Sequence, residues 1–210
     1  VSPTVRPVSR EALVAHVVAR VLAVPGRRRV VVDGAAVLRP GDLADALVDP
    51  LRAAGRPVVR LHADDFLRPA SLRWEHGRRD PDAYLEDRLD VAALRREVLD
   101  PFVAEGRYLP TLWDATADRA TRAPYRAAPD GSVLVVDGEL LLGRWLDVDV
   151  AVHLAVRAAT LARRLPPDEQ WLLPAFARYA EETAPEEVAD VVVRVDDPRR
   201  PALVGVTDGL

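Results

Sequence analysis

Residues 30–47 read VVVDGAAVLRPGDLADAL. The valine run is short and unbroken, which suits a strand buried on both faces. Residues 29–32 are therefore read as strand, and Asp33-Gly34 closes it with turn chemistry. Residues 42–54 read as a helix, stopped by Gly55. A buried strand that feeds a helix through a glycine-opened loop is the unit around which the rest of the chain is arranged.

Working outward, residues 9–24 carry Leu13, Val14, Val17, Val18, Val21 and Leu22 at helical spacing, with Ser9 as cap and Glu11 in the first turn. Residues 57–61 form a second strand that runs into His62-Ala63-Asp64-Asp65. A long polar and aromatic excursion fills 66–90, a helix 91–99, and loop with hairpin 103–131. The cleanest buried strand is 132–136, again closed by Asp-Gly at Asp137-Gly138. Further strands are expected at 148–154 and 191–195, the last paired with 202–206. Helices are expected at 157–165, broken by Pro166-Pro167, and at 171–182, bent near Pro174. Strands alternating with helices imply an α/β fold with a parallel sheet covered on both faces. Ligands of such sheets sit at the carboxyl ends of the strands. Three strands end there in acid: Asp33, Asp64/Asp65 and Asp137. Turn chemistry explains any one of them, whereas their convergence is the site signal.

The chain has 210 residues, 49% of them hydrophobic and 30% charged, which predicts one domain over 1–210. A net charge of -4 argues against a broad grip on nucleic acid. No apolar run reaches the ~18–20 residues of a membrane span, and the opening VSPTVRPVSR lacks the core of a signal peptide. The absence of cysteine excludes a disulfide framework, a thiolate zinc site and a cysteine nucleophile, and fits a cytoplasmic protein. There is no lysine, so all 29 basic residues of the Lys+Arg total are arginine. Schiff-base chemistry and a phosphate-binding P-loop lysine are excluded with it.

Taken in order, VVVDG, LADAL, RPVVRLHADDF, GRRDPDAYLEDRLDVAALRREVLDPF, VLVVDGELLL and ARYAEETAPEEVADVVVRVDDP resemble the bacterial uridine kinases of the P-loop type, from about Arg29 to Leu203. The resemblance implies a P-loop kinase-type three-layer fold with a mostly parallel central sheet. It implies that Asp65, with Asp64 beside it, acts as base toward a nucleoside hydroxyl. Arg78, Arg79 and the segment up to Tyr84 would lie along the nucleoside pocket. Asp137 would be the acid near Mg2+, the cofactor the resemblance implies. Arg163 and Arg164 would reach phosphates from a lid-like region, 163–185, and a homo-oligomer would fit the family. Two readings come from the residues themselves. Asp33 and Glu139 join Asp137 as metal-facing carboxylates, and Phe66, Trp74, His76 and Tyr84 form an aromatic wall for a planar ligand.

The sequence departs from the family at the phosphate loop, which needs G-x-x-x-x-G-K-[ST]. Gly34 supplies the first glycine, but the last three positions hold Arg39, Pro40 and Gly41. Arg39 puts a side chain where backbone approaches phosphate, and Pro40 removes an N–H donor. Gly41 has no hydroxyl for Mg2+. Asp42 places a carboxylate in the first helical turn, where it is favourable to the helix and repels a triphosphate. ATP is therefore not expected there, and residues 34–41 are not expected to cradle an anion. The expectation is a diverged uridine kinase-like protein that binds a nucleoside, nucleotide or other small ligand in an acidic acceptor pocket, as pseudoenzyme or repurposed metal-assisted enzyme. A working nucleoside kinase and an interaction protein with a vestigial pocket are the alternatives.

Overall fold

The computed structural model describes residues 4–205. Seven strands make the central sheet: β1 (Thr4–Pro7), β2 (Arg28–Asp33), β3 (Val58–His62), β4 (Val133–Gly138), β5 (Val150–Ala155), β6 (Val191–Arg194) and β7 (Ala202–Gly205). Their order is β1-β7-β6-β5-β2-β4-β3. The five strands from β6 to β3 are parallel, and β7 and then β1 add antiparallel at the edge.

Helices cover both faces, as the alternation requires. They are α1 (Arg10–Leu22), α2 (Pro40–Ala53), α3 (Pro81–Glu86), α4 (91–104), α5 (Ala158–Arg164) and α6 (Leu173–Thr183). One face packs Val17 and Val21 of α1 and Leu43, Leu47 and Leu51 of α2 on Val30, Val32, Val135 and Val152. The other buries Val31, Leu134 and Val136 under Leu85 of α3, Leu94 and Phe102 of α4, and Tyr179 of α6. Val30, Val31 and Val32 are all inaccessible or nearly so. Each contributes roughly 1.5–3 kcal/mol of burial, so the valine run stabilises the centre of the sheet from both sides.

Local chemistry sets the ends. Ser9 Oγ accepts from the Ala12 N–H at 3.1 Å and caps α1, and Gly55 leaves α2 at φ 78°. The expected helix at 91–99 runs on to residue 104, its middle widened into π turns (Arg95–Leu99) ahead of Pro101. Residues 103–131 hold two small antiparallel ribbons, Arg107–Tyr108 with Arg126–Ala127 and Trp113–Asp114 with Arg119–Ala120. The stretch before α6 is a 3-10 helix (Pro167–Leu172), where a single bent helix was expected. The first strand was not foreseen: it is exposed throughout, and pairing with β7 makes it a strand. Of the expected final strand, Val206 lies outside the described residues. Among those residues, no helix is long and apolar enough to cross a membrane.

The register brings the acids to one edge. Asp137 lies beside His62 on β3 and Val32 on β2, and Asp33 lies beside His153 on β5. The chain turns both ways from β2, toward β4 and β3 on one side and β5 on the other. Parallel sheets open a crevice at such a reversal.

Candidate functional site

The loop leaving β2 is closed by its own hydrogen bonds. Gly34 N–H donates to the Gly138 carbonyl at 3.1 Å. Glycine is required here, because a Cβ would stand 2.9 Å from Leu154 Cβ. Residues Ala36–Leu38 form a 3-10 turn in which Leu38 N–H donates to the Ala35 carbonyl at 2.8 Å and Arg39 N–H to that of Ala36 at 2.9 Å. The Ala36 N–H donates to Glu139 Oε1 at 2.5 Å. Pro40 opens α2 without an N–H, and Arg39 pairs with Asp42 at 2.9 Å. Arg39 is left-handed at φ 59°, a conformation that costs a side-chain-bearing residue ~1–2 kcal/mol and glycine little. The N–H groups of Gly34, Ala36, Leu38, Arg39 and Asp42 are thus used inside the protein. Above them Ala35 packs with Leu161, Leu165 and Leu172, and Val37 and Leu38 pack against the same cluster. An apolar plug joins this loop to the segment expected to act as a lid.

Each acid at the sheet edge has its own environment. Asp33 is fully buried. Its Oδ1 accepts from Leu141 N–H at 2.8 Å, and its Oδ2 from the Tyr179 hydroxyl at 3.0 Å and His153 Nδ1 at 2.7 Å. Asp137 Oδ1 lies 2.7 Å from both Arg60 Nη1 and His62 Nδ1, although neither has hydrogen-bond geometry toward it. Asp137 Oδ2 lies 3.0 Å from where a Cβ on Gly41 would be, so position 41 faces this acid. Glu139 accepts from the Tyr84 hydroxyl as well as from Ala36. Burial raises the Glu139 carboxyl and, most strongly, the Tyr84 phenol above their ordinary values. Arg88 Nη2 stands 2.6 Å from Asp64 Oδ1 and 3.8 Å from Glu139 Oε2.

Asp65 is the exception. It sits in a 3-10 turn (Ala63–Phe66) after β3, half-buried, with no arginine within ion-pair distance among the described residues. Burial raises its carboxyl above the ordinary range, a backbone hydrogen bond at His62 opposes this, and the charges of Asp64 and Asp137 add to the rise. A carboxylate so placed is a better proton acceptor than an exposed aspartate.

These placements differ from two expectations in where the side chains lie. The carboxylates Asp33, Asp137 and Glu139 share an edge, but among the described residues no three acidic or histidine groups are placed to hold a metal ion. Donors have taken the oxygens of Asp33 and Glu139, and Asp137 faces the Arg60 guanidinium. The aromatic wall does not form either. Phe66 is wholly buried in the core. Trp74, His76, Arg78 and Arg79 are exposed, and the Arg78 guanidinium lies 4.2 Å over the Trp74 ring. Tyr84 stands apart, edge-on to Trp171 with ring centres 5.6 Å apart. Arg163 donates to Thr160 Oγ1 at 3.0 Å, and Arg164 to the Asp196 carbonyl at 2.7 Å. Sequence reasoning missed the cations Arg60 and Arg88. An arginine inside the strand VVRLH was the one available signal for the first.

Mg2+ with a nucleoside triphosphate does not fit this set. Gly41 has no hydroxyl, Asp137 faces an arginine, and the loop offers neither lysine nor a run of free N–H groups.

No protein-family model matches the chain, and no curated protein matches it. Solved structures do. One described as a possible uridine kinase, from Bacillus stearothermophilus, is 22% identical with a TM-score of 0.70, over 87% of this chain and 97% of that one. One from Silicibacter, provisionally assigned as a fructose transport system kinase, is 24% identical with a TM-score of 0.57, over 87% of this chain and 95% of that one. The three-layer α/β architecture expected from the sequence is therefore the fold the chain has, shared along nearly the whole length of these kinase-like structures.

Proposed function

We propose that the chain is a diverged uridine kinase-like protein that has given up ATP as a phosphoryl donor and binds a small nucleoside-like ligand on the acceptor side of the sheet, beside Asp65. One observation carries the reading. The loop that would cradle phosphate turns the N–H of Ala36 to Glu139 and those of Leu38, Arg39 and Asp42 to its own carbonyls, under a cap of Leu161, Leu165 and Leu172. The acceptor-side acid Asp65 has no arginine within ion-pair distance among the described residues.

Asp65 accepts a hydrogen bond from a ligand hydroxyl in this reading. Arg88 holds Asp64 aside and neutralises part of the local negative charge. The raised carboxyl of Asp65 supports a second reading, in which it removes a proton from that hydroxyl in a reaction other than phosphoryl transfer from ATP.

Titration calorimetry with uridine, cytidine, their monophosphates and ATP, each with and without Mg2+, tests the proposal. The expected result is heat with a nucleoside or nucleoside monophosphate that does not require Mg2+ and is lost in Asp65→Ala. Saturable Mg2+-dependent binding of ATP would overturn it in favour of a working kinase. No binding of any compound would overturn it in favour of a vestigial pocket.

A further inference from the structure

The chain beyond the turn after β3 folds back beside that turn. Arg68 N–H donates to the Arg88 carbonyl at 3.0 Å, and Asp90 N–H to that of Phe66 at 2.8 Å. One helical turn (Ala70–Arg73) follows Arg68, and its Ala70 N–H donates to Asp118 Oδ1 at 2.8 Å. Asp118 lies in the hairpin that pairs Trp113–Asp114 with Arg119–Ala120. Just before that hairpin, Leu112 N–H donates to the Asp65 carbonyl at 2.8 Å. The hairpin thus joins Arg73 to Asp65 on the acceptor side of the sheet.

Arg73 is an enclosed cation whose donors are mostly unused. Its Nε donates to the Arg68 carbonyl at 2.7 Å, while neither Nη has a hydrogen-bond partner among the described residues. The one carboxylate within ion-pair distance among those residues is Asp118, at 3.9 Å. That oxygen already accepts from Ala70 N–H and, at 3.1 Å, from Trp113 Nε1. Arg60 and Arg88 are about as enclosed, with side chains 15% exposed against 12% for Arg73, yet each has a carboxylate oxygen within 2.8 Å. Burial holds the Arg73 guanidinium below the ordinary arginine range; the Asp118 charge opposes this and the Arg88 charge adds to it. The guanidinium carbon of Arg73 lies 4.9 Å from the centre of the Trp74 ring, and that of Arg78 lies 4.2 Å from the same centre. An indole face attracts a cation but offers its N–H groups no oxygen. Arg78 has no carboxylate within ion-pair distance among the described residues.

A guanidinium fork whose Nη groups lack hydrogen bonds fits two oxygens of one anion. Two cations on one ring ask for about two negative charges, which a phosphomonoester carries near pH 7 and a carboxylate does not. We infer that Arg73, with Arg78 beside it, is a phosphate grip, and that the ligand next to Asp65 carries a phosphomonoester. The inference takes the body of that ligand from the function proposed above, whereas the grip itself can be tested without it.

Uridine and its 5′-monophosphate differ in this one group. By titration calorimetry on the full chain without Mg2+, the monophosphate should bind roughly tenfold or more tighter, as charge-assisted hydrogen bonds imply. Arg73→Gln keeps an amide N–H and drops the charge and the fork, so in that variant the two should bind alike, with the affinity for uridine unchanged. Equal affinities in the natural chain, or a preference that survives Arg73→Gln, would overturn the inference and leave the nucleoside reading standing. Inorganic phosphate is the second probe, followed by the Arg73 Nε 15N–1H resonance of the natural chain against sodium chloride of equal ionic strength. A saturable shift with phosphate alone supports the grip even where neither uridine compound binds, and it is then the nucleoside reading that fails. The same probe decides the matter if Arg73→Gln does not fold. No saturable shift, or one that chloride reproduces, would overturn the inference.

Discussion

The loop after β2 and the turn after β3 leave the same sheet edge and treat their polar groups in opposite ways. After β2, Glu139, Tyr84 and the loop's own carbonyls satisfy one another, and leucines seal the surface. After β3, Asp65 keeps a half-buried carboxylate with no arginine within ion-pair distance among the described residues. Strand order, register and core treat both alike. A sheet edge can therefore keep its architecture while one of its loops turns its polar groups inward and the neighbouring turn leaves an acid without an arginine partner among the described residues. The valines that build the edge are chosen by packing, and the loop residues are not.

Substitutions can break this contrast. The largest effect is expected at Asp33, whose removal leaves three buried donors without an acceptor. Asp33→Ala should lower stability in urea by about 3–9 kcal/mol, at ~1–3 kcal/mol for each of the three donors stranded. Asp65→Asn should stay within about 0.5 kcal/mol. Equal losses would show that the two acids are held alike. Leu165→Ala opens the plug over the β2 loop and should cost about 2–3 kcal/mol by the same measurement. A change near zero would mean that the plug contributes no packing.

Arg39→Gly goes the other way. It relieves a left-handed arginine at φ 59° and should stabilise by about 1 kcal/mol, net of the lost exposed pair with Asp42. A loss of stability would mean that this pair outweighs the backbone strain.

The smallest effect is one of pH. Burial raises the Asp65 carboxyl in the folded state, so the fold binds its proton more tightly than the unfolded chain does. That contribution is fully present below the unfolded carboxyl range, near pH 4, and is lost as pH rises through the raised folded value. The stability of the natural chain minus that of Asp65→Asn should therefore decline on raising the pH from about 4 to about 7. Parallel curves would show that Asp65 is not perturbed.

Much of this was legible in the sequence. VVVDG and VLVVDG announce strands by β-branched burial and end them with turn residues, and Ser9 announces a helix start. The absence of the G-x-x-x-x-G-K-[ST] pattern was plain in Arg39-Pro40-Gly41. The identity of each acid's partner was not, because pairing across the sheet depends on register. Asp33 meets His153 only because β2 and β5 lie side by side, 120 residues apart in the chain. The exposed β1 has no periodic pattern and exists through β7 alone. Phe66 sat in a polar stretch that looked like a ligand wall, yet the turn after β3 points it into the core.

The closed β2 loop is the centre of this account, and the melting temperature of the unmodified chain in Mg-ATP tests it most directly. A ligand that binds only the folded state raises the melting temperature in step with the logarithm of its concentration once its Kd is passed. The melting temperature is predicted to be the same at every nucleotide concentration. A rise that grows with Mg-ATP and is absent with Mg2+ alone would show that the loop opens to a triphosphate, and would contradict the account.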